Sequence, residues 1–397
     1  MQRNRISVLT ILVIMCNLTA CNATPIEVKT LSPDTTSAQV ASHDAALASG
    51  DIMRNAQPLS IRLPSGVIPL RLATDDKYIY WINIHDPFSI DRISIDKPDK
   101  VERVATSNPV SRTVGTGFSG LQISKDGLWM SYYEYTQYDS LSIHVVLRIV
   151  NIETGRTQIL FERIFDMRSL DRPFEVFVPM NSIDNNTAIL NYTTPPDVRK
   201  CVYSVVDIYK LDADTQHELI RGACNSQLEW RQPFLYKNRL VVSQLDWVAK
   251  PARADAYLFD LMTGVSQTLS IDGKESEPLV LDKIVAWRNA YALDFTREVG
   301  IHNLDRNVTR YVTLQQEFAH LDGAGDFLVA ITPSRVDLID THDFDNIQVI
   351  TIAAVDPDKL PPFGERTITR KYFAYVEYVS KKADEAQSLV WIYRLKQ

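Results

Sequence analysis

Val146-Leu147-Arg148-Ile149-Val150-Asn151-Ile152-Glu153-Thr154-Gly155 is a strand that runs into a tight turn. Its aliphatic and β-branched residues suit a pleated, half-buried ribbon, and Thr-Gly follows where the chain must reverse. The phrase returns as Ala256-Tyr257-Leu258-Phe259-Asp260-Leu261-Met262-Thr263-Gly264. Weaker copies centre on Ile93, Ile208, Ile301 and Leu338. The last copy, Val390-Trp391-Ile392-Tyr393-Arg394-Leu395, is followed by no further strand. From Ile93 to Ile392 the seven copies are spaced by about 50 residues, the length of a four-stranded propeller blade.

Each copy has the same surroundings. An inner strand leads to a tight turn and an aromatic-rich strand, then to a variable loop, the phrase and an outer strand. The aromatic-rich strands are Tyr78-Ile82, Trp129-Tyr135, Ala188-Tyr192, Leu240-Leu245, Ile284-Trp287, Phe327-Ile331 and Tyr372-Tyr378. Asp126-Gly127, Asn185-Asn186 and Lys237-Asn238 stand just before such strands and fit tight turns. Long amphipathic helices are absent. The expectation is an all-β, seven-bladed propeller over residues 58–397. Six blades is the alternative, because the copy around Leu338 lacks Thr-Gly and Leu321-Phe327 is irregular. Two β-sandwiches would not repeat strands in groups of four. The last blade lacks an outer strand, and Leu59-Ser60-Ile61-Arg62-Leu63 alternates apolar with polar just before the first. That segment is expected to pair the open edge and close the ring.

The 397 residues are 45% hydrophobic and 23% charged, as in a globular body with a full core. Net charge is -7; removing a leader with Arg3 and Arg5 and no other charge leaves (42 - 2) - 49 = -9. An acidic body is a poor match for nucleic acid, whose phosphates are bound by Lys and Arg. No basic run of five residues marks a membrane patch.

Residues 1–20 have the form of a secretory leader. Arg3 and Arg5 precede an apolar run, Ile6 to Cys16, too short to span a bilayer. Leu18-Thr19-Ala20-Cys21 resembles the bacterial lipobox. That resemblance implies lipid attachment at Cys21, cleavage before it, and an anchor in a bacterial membrane on its extracytoplasmic face. A plain signal peptide cut near Ala20 or Ala23 is the alternative. Two or three acyl chains hold a protein firmly where one does not. Residues 21–57 are rich in Ser, Thr, Ala and Asp, have no aromatics, and read as a flexible tether.

Cys201 and Cys224 flank a predicted hairpin, Tyr203-Lys210 and His217-Arg221. Pairing 210 with 215 and stepping outward matches 201 with 224. Opposed Cα atoms in such a ladder lie within disulfide range, and an exported protein meets oxidising conditions. A disulfide is expected; two buried thiols is the alternative.

Ser124-Lys125-Asp126-Gly127 before Trp129, together with Asn151-Ile152-Glu153-Thr154-Gly155, resembles the repeats of bacterial TolB-like and related WD40-like propellers. The resemblance implies an extracytoplasmic propeller used as a binding platform.

No cofactor signature appears. Gly-x-Ser-x-Gly, Gly-x-Gly-x-x-Gly and P-loop patterns are absent, and Gly117-Phe118-Ser119-Gly120 reads as a turn into a strand at Leu121-Ile123. Asp340 to Asn346 has calcium-type oxygens but lacks the Gly and terminal Glu of an EF-hand, so a solvated turn is expected rather than a metal site. The histidines are scattered, although His320 is placed to face a central channel. Loops on a rigid scaffold are the usual carriers of binding residues. The candidate ligand-binding residues are therefore Tyr135, Tyr138, Asp246, Trp247, Arg253 and His320. The expected function is a monomeric, membrane-tethered scaffold that binds a protein or carbohydrate partner without catalysis. The alternative is a glycan or peptide lyase or hydrolase acting at the channel mouth.

Overall fold

The computed structural model describes residues 59–65, 67–83, 86–106, 117–124, 126–137, 142–166, 180–269, 271–291, 294–318, 320–332, 334–354, 363–380 and 387–395. The leader, Cys21, the tether and Tyr138 lie outside the described residues.

The strands form seven four-stranded antiparallel sheets. Blade one holds β2 (Pro69–Thr74), β3 (Tyr78–Asn83), β4 (Asp86–Ser94) and β5 (Val101–Thr106); blade two holds β6 (Gly117–Ile123) to β9 (Thr157–Asp166). Blade three runs from β10 (Met180–Asp184) to β13 (Thr215–Arg221), and blade four from β14 (Leu228–Tyr236) to β17 (Ser266–Thr268). Blade five runs from β18 (Glu275–Val280) to β21 (Val308–Phe318), and blade six from β22 (His320–Ala324) to β25 (Gln348–Ala354). Blade seven combines β26 (Phe363–Ile368), β27 (Tyr372–Ser380) and β28 (Gln387–Arg394) with the first strand, β1 (Leu59–Arg62).

Closure is made by that first strand. Leu59 pairs with Ile392, Ser60 with Trp391, Ile61 with Val390 and Arg62 with Leu389. The Leu63 amide extends the ladder to the Ser388 carbonyl at 3.0 Å. Apolar packing closes the same ring. Ile61, Val376 and Val390 of blade seven pack with Leu72, Ile79 and Trp81 of blade one. Each other seam between neighbouring blades has its own buried cluster, such as Ile82 with Phe118 and Met130, or Ile189 with Trp230 and Leu240. Sheets that are apolar on both faces bury them only against neighbours, so the ring is the unit of stability. At the seam between blades four and five, a Cβ on Gly300 would sit 2.3 Å from the Trp287 indole. Glycine there lets a large buried ring lie flat on a strand.

Seven blades is the observed number, and the irregular copy around Leu338 forms a regular β24 (Arg335–Asp340). Gly127, Asn185 and Lys237 all have positive φ, as tight inner turns require. The hairpin register follows the expected pairing from Lys210–Thr215 to Asp207–Glu218, then slips by one at a bulge. Cys201 and Cys224 lie beyond that slip and are bonded, with Cα atoms 4.9 Å apart. One expectation is corrected. Gly117 to Gly120 is not a turn but the first half of β6, bulged between Ser119 and Gln122.

Candidate functional site

Antiparallel order puts all second-to-third strand loops on one face, together with the starts of the inner strands; this is the mouth face. The turns from inner to second strand lie on the opposite face and form the floor. Inner strands line the channel between them.

The inner strands are not uniform. Register slips fall in those of blades one, two, four, five and seven. A bulge re-aims side chains and twists the strand. In blade two it uses Gly120 at φ 60°, where a Cβ would be 2.4 Å from the Tyr133 ring. In blades four and five it uses Gln232 (φ 53°) and Glu277 (φ 49°), neither a glycine. These two residues meet. The Glu277 amide donates to Gln232 Oε1 at 3.1 Å, and Gln232 Nε2 donates to Glu277 Oε1 at 3.2 Å. Glu277 Oε2 lies 3.0 Å from Arg288 Nε and 3.2 Å from His320 Nδ1. The Arg288–Glu277 contact is an ion pair rather than a well-aligned hydrogen bond, since Nε has no bond of good geometry. His320, the first residue of β22, stands exposed at the mouth, tied to Glu277 on the inner strand of the neighbouring blade, and is not part of the cavity lining.

A second group lies on blade four. Glu229 Oε2 accepts from Arg231 Nη2 at 2.8 Å and from Trp247 Nε1 at 2.9 Å, and the Arg231 guanidinium sits 5.1 Å from the Trp247 ring centre. Asp246 Oδ1 holds the turn by accepting from the amides of Val248 and Ala249. Asp246 and Arg253 are opposed across the ladder. The Arg253 guanidinium is half-exposed, lies against Gly273 and reaches Asp255 only at 3.9 Å. Asp246, Trp247 and Arg253 are thus brought together at one edge of the mouth. Tyr135 is elsewhere, in blade two, packed beside Tyr133 with its hydroxyl on Ser119 at 2.9 Å. Burial pushes its phenol above the ordinary range. Glu229, Arg231, Gln232, Glu277 and Arg288 were not foreseen. The trace in the sequence is charge at alternate positions of inner strands, Glu229/Arg231 and Glu275/Glu277.

The floor is closed by long-range contacts. Arg370, in the first turn of blade seven, donates to Tyr236 Oη of blade four and Asp282 Oδ2 of blade five. Tyr236 Oη donates to Asp282 Oδ2 at 3.0 Å, Lys237 Nζ pairs with Asp282 Oδ1, and Arg239 Nη1 donates to the Asp282 carbonyl at 2.7 Å. Blades seven and four are opposite one another, so Arg370 bars the bottom of the channel. Burial first, then the Asp282 carboxylate, pushes the Tyr236 phenol up to about 12. Burial favours the neutral form of Asp282, but bonds from Lys237 and Tyr236 and the Arg370 charge outweigh it and hold its carboxyl below the usual range.

Between mouth and floor the inner strands of six blades enclose a cavity of about 250 Å³. Gln122, Asn181, Ser182, Asp322, Arg366 and Thr367 give it a polar lining among Leu, Ile and Phe side chains. Among the described residues no group of three or more His, Cys, Asp or Glu side chains converges as a metal site. The Asp340 to Asn346 segment acts as a brace: Asp345 pairs with Arg306 at 2.7 Å and Arg310 at 2.8 Å across the seam from blade five.

These features define a closed seven-bladed propeller with a barred floor and a polar mouth. The β-propeller domain of the Trilobed protease from Pyrococcus furiosus, described as having an open velcro topology, is similar in fold. The TM-score is 0.53 at 8% identity, over 83% of this chain and 98% of that one. A chain of the Mitotic Checkpoint Complex gives a TM-score of 0.51 at 10% identity, over 95% of this chain and 100% of that one. No protein-family model and no curated protein sequence matches the chain.

Proposed function

We propose that the chain is a lipid-anchored scaffold of the bacterial envelope that holds a protein partner on the mouth face of blades three to five. Exposed apolar side chains on three successive blades carry this reading. Val198, Val248 and Phe295 stand on the second-to-third strand loops of blades three, four and five, fully exposed, 42% and 66% exposed respectively. Ile271 joins them from the link between blades four and five. Single exposed apolar residues are ordinary, and Met262, Val265 and Val308 are also exposed on the opposite face; the mouth-face set differs in standing on the long second-to-third strand loops of three successive blades, beside a basic rim. Aliphatic side chains with one phenyl ring suit a protein better than a glycan, which is held by aromatic stacking and polar groups. Arg199, Lys200, Lys250 and Arg253 flank them and add polar rim contacts. The Cys201–Cys224 bond fixes the base of the Val198 loop and lowers the cost of ordering it on binding.

Photo-crosslinking separates this from its rivals. A crosslinker at Val248 or Phe295 of the membrane-bound protein is expected to capture one discrete protein adduct. One at Met262, on the opposite face, is expected to capture none. Adducts of equal yield from both faces would contradict the reading. Cys21→Ser is expected to release the protein from the membrane and abolish fatty-acid labelling.

The enzyme reading draws support from Glu277, Arg288 and His320 at the mouth. Both Glu277 oxygens are engaged by neighbours in the same cluster, so the carboxylate serves the seam before any substrate. The scaffold is the better account.

A further inference from the structure

We propose that the central cavity is a binding site for a small monocarboxylate, held by Arg366. The cavity lining has two charged side chains, Asp322 and Arg366. Asp322 is engaged with the backbone, accepting from the Gly323 amide at 2.8 Å. Arg366 differs. It follows the bulge in β26, opposite Tyr375, and its Nε is buried without a hydrogen-bond partner. Among the described residues its guanidinium has neither a hydrogen bond nor an ion pair. The inner-strand Arg231, by contrast, is paired with Glu229. A buried N–H left unmade costs free energy comparable to a lost hydrogen bond, and a resident anion that accepts from Nε removes that penalty.

The chemistry of the anion follows from the site. A planar guanidinium presents parallel N–H groups that match the two oxygens of a carboxylate. Arg366 and Asp322 leave the lining without net charge, so a single negative charge held directly on the guanidinium is tolerated better than the two of phosphate or a dicarboxylate. About 250 Å³ is below the range of drug-sized pockets, so the ligand is a small molecule rather than a chain segment. With Arg370 barring the floor, entry is from the mouth. This site is independent of the protein-binding face, and either stands if the other fails.

The test uses the purified full-length protein at constant ionic strength, with sodium acetate, disodium succinate and sodium phosphate as probes in titration calorimetry. Acetate is expected to bind and to raise the melting temperature, with succinate and phosphate at least tenfold weaker. Arg366→Met is expected to weaken acetate by about 10- to 100-fold, the range for a charged hydrogen-bonding pair. Arg366→Lys, which keeps the charge but not the fork, is expected to fall between. Equal affinity in the Met variant, no acetate binding, or phosphate binding as tightly as acetate would overturn the proposal. Should the Met variant fail to fold, the Arg366 Nε–H resonance of the wild-type protein decides. Movement on acetate titration supports the site, and a fixed resonance refutes it.

Discussion

Gln232 and Glu277 adopt the same left-handed backbone on neighbouring inner strands and bind each other twice, side chain to side chain and amide to side chain. Two strained residues thus form the seam between blades four and five at the mouth. Such strain persists only where surrounding contacts over-determine it, and Arg288 and His320 supply those contacts.

Removing the carboxylate should be expensive. Arg288 is only 3% exposed, and breaking a buried pair by deleting one partner costs about 3 kcal/mol or more. Glu277→Ala is expected to lower stability by that amount in chemical denaturation. Glu277→Gln keeps the side-chain volume and one acceptor oxygen, enough for Arg288 or for Gln232 but not both, and is expected to cost about 1 to 2 kcal/mol, less than Glu277→Ala. Equal losses in the two variants would place the effect in the lost charge rather than in packing.

The disulfide spans 23 residues. Loop-closure entropy for a span of that size gives about 3 kcal/mol. A reductant is expected to lower the denaturation midpoint of the wild-type protein accordingly. It is expected to leave the Cys201→Ser, Cys224→Ser double variant unchanged, already at the reduced midpoint.

Acid should loosen the floor. The Asp282 carboxyl is held low in the folded state, so its contribution is complete above the unfolded carboxylate pKa, about 4. That contribution is lost as pH falls through the lower folded value. Arg370→Met removes part of the stabilising charge and raises the folded pKa. The variant is expected to be less stable than wild type at pH 7, and the difference is expected to shrink below about pH 4. The checking measurement is the denaturation midpoint from pH 7 to pH 3 for both proteins.

The blades were legible because each one buries its faces against neighbours with the same strand order, so a period survives divergence. Val390 to Leu395 pointed to Leu59–Leu63, and counting along the hairpin brought Cys201 near Cys224, although the ladder slips by one before it reaches them. The site was less legible. Trp247 and Arg253 stood out because aromatic and basic residues in a loop break the strand pattern. Gln232 gave no signal and Glu277 only its charge, since neither is a residue type that announces positive φ. Arg370 and Asp282 are 88 positions apart on different blades. No local pattern encodes which turns face each other across a ring; only the blade count and closure do so.

Closure by the first strand is the claim on which mouth, floor and cavity all rest, and amide hydrogen exchange tests it residue by residue. In an antiparallel edge strand alternate amides point inward to the partner. The Leu63 amide bonds Ser388, so Ile61, two residues earlier, points the same way while Ser60 and Arg62 face outward. The account predicts slow exchange at Ile61 and Leu63, comparable to the interior of β28, and fast exchange at Ser60 and Arg62. Uniformly fast exchange across Leu59–Leu63 would contradict it.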